Sequence, residues 1–314
     1  MDTSFFKKRF SIGLVLDDSL ADYRSFLTQY ASFIDTIYFS LPLGDRFHGR
    51  PQIAQQFKNP ETVSRFWEML RLIPDFGIKI EPVFNTNHLN ADDLYQAAEL
   101  LGKQKIEINK LAITDDLYES AVKFFPRKGL IYSISNYGTI TKKLAENSHK
   151  YNEIVIGRNC IRDIDAYEIV RKRNEDVLLV LNDGCSFTCE GLCSEHGSNA
   201  SSYCEQNFKK AVEKSNVEYV YALQSVMPFE IHEQLLPLNS IRYFKLSTRN
   251  SDLAYIRKCL DSYIYNIQEV DRTRGSLEYF LWARLTWFSP YYQSMDAEQI
   301  ISLKRKLYIG GSNE

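Results

Sequence analysis

Four of the chain's six cysteines fall in one polar stretch, LNDGCSFTCEGLCSEHGSNASSYC, residues 181–204. Cys185, Cys189, Cys193 and Cys204 follow the spacing Cys-x3-Cys-x3-Cys-x10-Cys. An unliganded cysteine is ordinarily a small buried hydrophobe. This stretch is rich in Gly, Ser and Asn, so burial does not account for four thiols there. Structural zinc favours two-residue Cys-x2-Cys knuckles that aim both sulfurs at one ion, and the stretch has none. Four thiolates at irregular spacing suit the corners of a 4Fe–4S cluster, which lie further apart than ligands around one ion. The sequence therefore predicts an iron–sulfur site on Cys185, Cys189, Cys193 and Cys204, with zinc or no metal as the alternatives. His196 lies inside the stretch and Cys160 lies in GRNCIRD; both are reserve ligands. A radical S-adenosylmethionine motif needs a second gap of two, and here it is three. Cys259, in DLAYIRKCLDSYIYN, reads as a core residue.

These residues need a frame. Short β-branched runs recur along the chain: SIGLVLD (11–17), IDTIYFSL (34–41), IKIEPVFN (78–85), NKLAITD (109–115), GLIYSIS (129–135), NEIVIGR (152–158), DVLLVLND (176–183), EYVYALQ (218–224) and IRYFKLS (241–247). Their continuous apolar character predicts strands buried on both faces of a parallel sheet. Amphipathic stretches at 59–73, 90–103 and 163–173 predict helices between them. The β-then-α repetition fits an α/β fold, a (β/α)8 TIM-barrel-like domain of the usual ~250 residues, with a doubly wound open sheet as the other candidate. The barrel is expected over residues 1–270. A helical, aromatic C-terminal extension over 271–314 is expected to pack on it or to offer a partner surface.

In such a barrel the chemistry sits where strands end and βα loops begin. The candidate strands end in polar residues: Asp17, Ser40, Asn85 with Asn87 and His88, Asp115 with Asp116, Asn136, Arg158 with Asn159, Asn182 with Asp183, Gln224, and Lys245 with Arg249. Many of these would serve only as helix caps; together they form a ring that could orient a polar substrate. Lys245 and Arg249 are the candidates to hold an anionic group, His48 or His88 to move a proton, and Asn182 to orient the substrate. The catalytic set predicted from sequence is Lys245, Arg249, His48 and Asn182. The stretch 40–57, with Asp45, Arg46, His48 and Arg50, reads equally as a lid, an anion clamp or a solvated connector.

The chain has 314 residues, 44% hydrophobic and 13% aromatic, with a formal net charge of -2. That balance fits a well-cored protein and makes nucleic acid a less favoured partner. No run approaches the ~20 apolar residues of a membrane span. The opening MDTSFFKKRFSIGLVLDDSL places basic residues before an apolar run, but Asp17 and Asp18 end it, so it reads as a first strand rather than a signal peptide. A cytoplasmic setting is the expectation, and there clustered thiols are more often metal-binding or catalytic than disulfide-bonded.

Two segments resemble the peptidase U32-like family: YNEIVIGRNCIRDIDAYEIVRKRNEDVLLVLNDGC and IRYFKLSTRNSDLAYIRKCLDSYIYN. Lys245 and Arg249 match that family's Lys-Ile-Glu-Gly-Arg strand end, while Ser247 and Thr248 stand where the family has Glu and Gly. The match spans about residues 129–266 and makes the chain similar to a divergent member. It implies a barrel with a cluster held by Cys185, Cys189, Cys193 and Cys204. It also implies redox or oxygen-independent hydroxylation chemistry on a small molecule, a peptide or an RNA, often by paired proteins. An electron-relay or binding subunit of a two-protein complex is the second reading. A peptidase is the third, for which no Ser/His/Asp order or His-Glu-x-x-His helix is present.

Overall fold

The structure is a computed structural model and describes residues 2–48, 51–86, 88–133, 150–156, 160–172, 176–182, 226–247, 252–267 and 297–309. Its strands are β1 (Phe10–Gly13), β2 (Ile34–Phe39), β3 (Lys79–Phe84), β4 (Lys110–Ile113), β5 (Gly129–Tyr132), β6 (Glu153–Val155), β7 (Asp176–Val180) and β8 (Ile241–Leu246). All neighbours pair in parallel and in sequence order, and β8 returns to β1, so the sheet closes into a barrel. This is the predicted (β/α)8 architecture, and eight of the nine candidate strands form it. The ninth, 218–224, lies outside the described residues, and β7 pairs directly with β8.

The helices are α1 (Leu20–Tyr30), α2 (Pro51–Gln56), α3 (Pro60–Leu72), α4 (Ala91–Lys103), α5 (Tyr118–Phe124), α6 (Ile164–Arg171), α7 (Pro228–His232), α8 (Leu253–Tyr265) and α9 (Ala297–Ile309). Their starts follow from local chemistry. Ser19, Asn59, Asn90, Asp163 and Asp252 each accept a first-turn N–H at an N-cap, and Pro60 opens α3. The predicted helices at 59–73, 90–103 and 163–173 correspond to α3, α4 and α6. Their apolar faces cover the outside of the barrel, where Phe66 of α3 meets Phe39 of β2 edge-to-face at 5.6 Å. Among the described residues no helix is long and apolar enough to cross a membrane.

Two asparagines repair gaps in the strand ladder. Pro82 lies within β3 and has no N–H to give. Below it, the Asn109 side chain accepts the N–H of Ile80 at 3.1 Å, and the paired β3–β4 register begins above it at Val83. Asn152 does the same between β5 and β6, accepting the N–H of Leu130 at 2.9 Å. A side-chain carboxamide has the donor and acceptor of a peptide group, so it can stand in for one.

Helix α9 is tied to the barrel through one buried carboxylate. Glu230, in α7, caps the N–H of Met227 at 2.7 Å. It receives the Arg162 guanidinium at 2.6 Å, the Tyr308 hydroxyl at 2.5 Å and the Lys304 ammonium at 3.4 Å. Burial pushes the Glu230 pKa up, but Lys304 and Arg162 outweigh it and hold the carboxyl below its ordinary value. Burial drives Lys304 down to about 8 against the pull of Glu230. A carboxylate with a depressed folded pKa contributes stability above its unfolded value, here 4.5, and loses it as the pH falls through the folded value. Glu230→Gln removes the carboxylate that Arg162 and Lys304 share and should cost ~3–5 kcal/mol of α9 docking. Hydrogen exchange across 297–309 at neutral pH should speed up in this variant. The wild type should show the same loosening in acid once intrinsic exchange rates are corrected. Unchanged exchange in both would show that α9 is held by other contacts.

Candidate functional site

The barrel interior is layered, and the layers follow from a side-chain period of two along each strand. Tyr38, Val83, Ala112 and Ile131, one each from β2 to β5, form an apolar cluster with Val155 of β6 packed against it. Two residues earlier on β3, β4 and β6 stand Glu81, Lys110 and Glu153. Two residues later on β2 to β5 stand Ser40, Asn85, Thr114 and Ser133, the first residues after their strands. Ions therefore lie below an apolar layer, and neutral hydrogen-bonding groups lie above it, at the C-terminal mouth.

The lower layer is a connected set of charges. Lys110 reaches across β5 to Glu153 at 2.9 Å and across β3 to Asp35 at 3.6 Å. Gly129, its register partner on β5, makes room: a Cβ there would stand 3.3 Å from that of Lys110. Asp35 points inward because the β1–β2 register skips it, stepping from Phe10↔Ile34 to Ser11↔Thr36. It also takes Lys79 at 3.0 Å. Burial lowers the Lys110 pKa, but Glu81, Glu153 and Asp35 more than offset it, so the ammonium is held above its ordinary value. Burial pushes Glu153 above the usual carboxylate range; Glu81 and Asp35 add to this and Lys110 opposes it.

Lys245 joins the two levels. It projects from β8 and spans the barrel to Glu81 of β3 at 3.4 Å, with its side chain 13% exposed. Its ammonium lies 4.2 Å from the ring centroid of Tyr38. The Tyr38 hydroxyl donates to the Leu246 carbonyl at 2.7 Å, passing β1 where the register places Gly13. Of the predicted set, Lys245 is thus paired with a carboxylate beneath the mouth. Asn182 lies at the mouth, at the end of β7, where its Oδ1 accepts the Ser247 N–H at 2.6 Å and its amide faces the Ser247 carbonyl at 3.4 Å. His48 is buried and stacks on Phe57 at 5.2 Å, while His88 is exposed. In the 40–57 stretch, Arg46 pairs with Asp93 and its carbonyl accepts the Thr86 hydroxyl at 2.7 Å, which ties the loop to the end of β3. Arg249, Arg50, Asn87, Asn136, Arg158, Asn159, Asp183 and Gln224 lie outside the described residues.

Cys185, Cys189, Cys193, Cys204 and His196 also lie outside them, but the two points between which they run are described. The Val226 N–H donates to the Leu181 carbonyl at 2.8 Å. The chain therefore leaves and rejoins the barrel at one place, the end of β7 beside Asn182. Cys160 and Cys259 are buried, and burial pushes the Cys160 thiol up to about 11, which keeps it protonated at neutral pH. Among the described residues no group of three or more His, Cys, Asp or Glu stands ready for a metal ion.

Sequence reasoning did not single out Glu81, Tyr38, Thr114 or Ser133. A signal existed for Glu81: IKIEPVFN, NKLAITD, NEIVIGR and IRYFKLS each carry a charge inside an apolar run. Such a charge in a doubly buried strand must find its partner inside the barrel.

No family model matches the chain, and no curated protein does. Among solved structures, the fold is similar to that of a U32 peptidase, with a TM-score of 0.47 and 12% identity over 78% of this chain and 94% of that one. Tryptophan synthase from M. tuberculosis gives 0.45 and 10% over 90% and 94%. A mandelate racemase/muconate lactonizing enzyme from Roseiflexus sp. gives 0.36 and 14% over 57% and 51%. The barrel itself is established by its closed strand pairing.

Lys245→Met removes the ammonium paired with Glu81 and should lower stability by ~3–5 kcal/mol, read as a shift of the urea midpoint. Adding Glu81→Gln to it should recover more than half of that loss. A double-variant loss equal to the sum of the Lys245→Met and Glu81→Gln losses would show that the two groups do not depend on each other.

Proposed function

We propose that the chain is an iron–sulfur enzyme that modifies a polar substrate at the C-terminal mouth of its barrel. The observation that supports this most is the Leu181–Val226 closure. All four clustered cysteines belong to a segment whose two ends meet at the mouth, at the end of β7. The donor set suits the group: soft thiolates select iron–sulfur clusters, whereas the described Cys160 is buried and protonated. Cys185, Cys189, Cys193 and Cys204 would hold the cluster. When bound, it would supply electrons to the substrate.

The chain's own residues would do the rest. Ser40, Asn85, Thr114 and Ser133 would orient the substrate by hydrogen bonds. Asn182 fixes the end of β8 against the end of β7. Lys245 and Glu81 lie beneath as a buried ionisable pair. The sequence resemblance to the U32-like family agrees with this reading.

Purification without oxygen, followed by iron, sulfide and zinc analysis, tests it. About four irons and four sulfides per chain are expected, lost in each of Cys185→Ala, Cys189→Ala, Cys193→Ala and Cys204→Ala. Zinc without sulfide, or no metal in any preparation, would overturn it.

A further inference from the structure

The mouth tier itself specifies a kind of ligand. Ser40, Asn85, Thr114 and Ser133 follow four consecutive strands at the same position, directly above the apolar cluster. Asn85 of the β3 end donates to the Ser133 hydroxyl of the β5 end at 3.2 Å, bridging over β4. That contact places both side chains inside the mouth. Thr114, at the end of β4 between them, is 4% exposed, and its buried hydroxyl has no hydrogen-bond partner among the described residues. A buried hydroxyl left without a partner is costly and marks a place where a ligand or a water completes the pairing.

The tier is neutral, and among the described residues the nearby charges are paired. Lys245 is held on Glu81 below the apolar layer. Asp115 accepts the Tyr151 hydroxyl at 2.9 Å, and Arg46 pairs with Asp93. The N-terminus of α8, which could attract an anion, is already capped: Asp18 accepts the Leu253 N–H at 3.0 Å and Asp252 that of Tyr255 at 2.7 Å. A phosphate or carboxylate lowered onto this floor would lose its water without meeting a counter-charge among the described residues. Uncharged hydroxyls would instead meet side chains that both donate and accept.

We propose that the floor of the mouth binds the uncharged, polyhydroxylated part of a ligand, a sugar or a sugar-like ring, with Thr114 and Ser133 as direct contacts. This deepens the preceding reading by naming the substrate class of the same mouth, and it rests on that reading only for the chemistry that follows binding.

The test uses the full chain, purified without oxygen, and saturation-transfer NMR with D-glucose and D-ribose, set against glucose 6-phosphate and gluconate. Binding of a free sugar is expected, with the phosphate ester and the carboxylate at least roughly tenfold weaker. Thr114→Val keeps the shape and removes the hydroxyl; Ser133→Ala is the second variant. Each should weaken sugar binding roughly fivefold or more; Thr114→Val should do so at unchanged melting temperature, whereas Ser133→Ala also removes the acceptor of Asn85 and should lower it slightly. Three results would overturn the proposal: no signal from either free sugar, equal or tighter binding of the anions, or unaltered binding in both variants. Iron and sulfide measured on the same preparation report the cluster separately, so either idea can fail without the other.

Discussion

The barrel depends on how it keeps ions under an apolar lid. A TIM-barrel interior is ordinarily filled by branched aliphatic side chains. Here the lower level holds Asp35, Lys110, Glu153 and Glu81, with Lys245 reaching down from β8. Buried ions are tolerated only when each finds its opposite, because desolvation of a lone charge exceeds what packing returns. The strand register supplies that pairing. The skipped residue at Asp35, the glycine at 129 and the glycine at 13 are each placed where a long side chain must pass a neighbouring strand. Backbone irregularity and charge pairing are one solution to one problem.

The same layering separates stability from recognition. Tyr38, Val83, Ala112, Ile131 and Val155 insulate the ionic level from the mouth. The groups above them are small and neutral, and they are held in place by strands rather than by loops. Rigid placement on strand ends favours defined hydrogen-bond directions over adaptable contact. Lys245 is the exception, since it crosses from β8 to Glu81 on β3 with its ammonium 4.2 Å from the Tyr38 ring centroid.

Much of the frame was legible in the sequence. Runs such as IDTIYFSL and DVLLVLND announce buried parallel strands, and Asn59, Asn90 and Asp163 announce the helices that follow. The site was legible only in part. Ser40, Asn85 and Asn182 stand out because polar residues at strand ends point to a mouth. Thr114 and Ser133 did not, because a Thr before two aspartates and a Ser between Tyr132 and Ile134 read as ordinary strand composition. Glu81 escaped because its partner lies 164 positions away on the far side of the barrel, and no local pattern encodes a contact across a closed sheet. EYVYALQ, whose local composition favours a strand, lies outside the described residues, and β7 pairs directly with β8.

The hydrogen bond from Val226 to Leu181 has a consequence for the connection that it closes. The described barrel fixes the point at which the polypeptide passes Asn182 and the point at which it returns at Val226. Loop-closure cost grows only logarithmically with length, so two chain ends held this close set almost the same closure cost for connections of very different length.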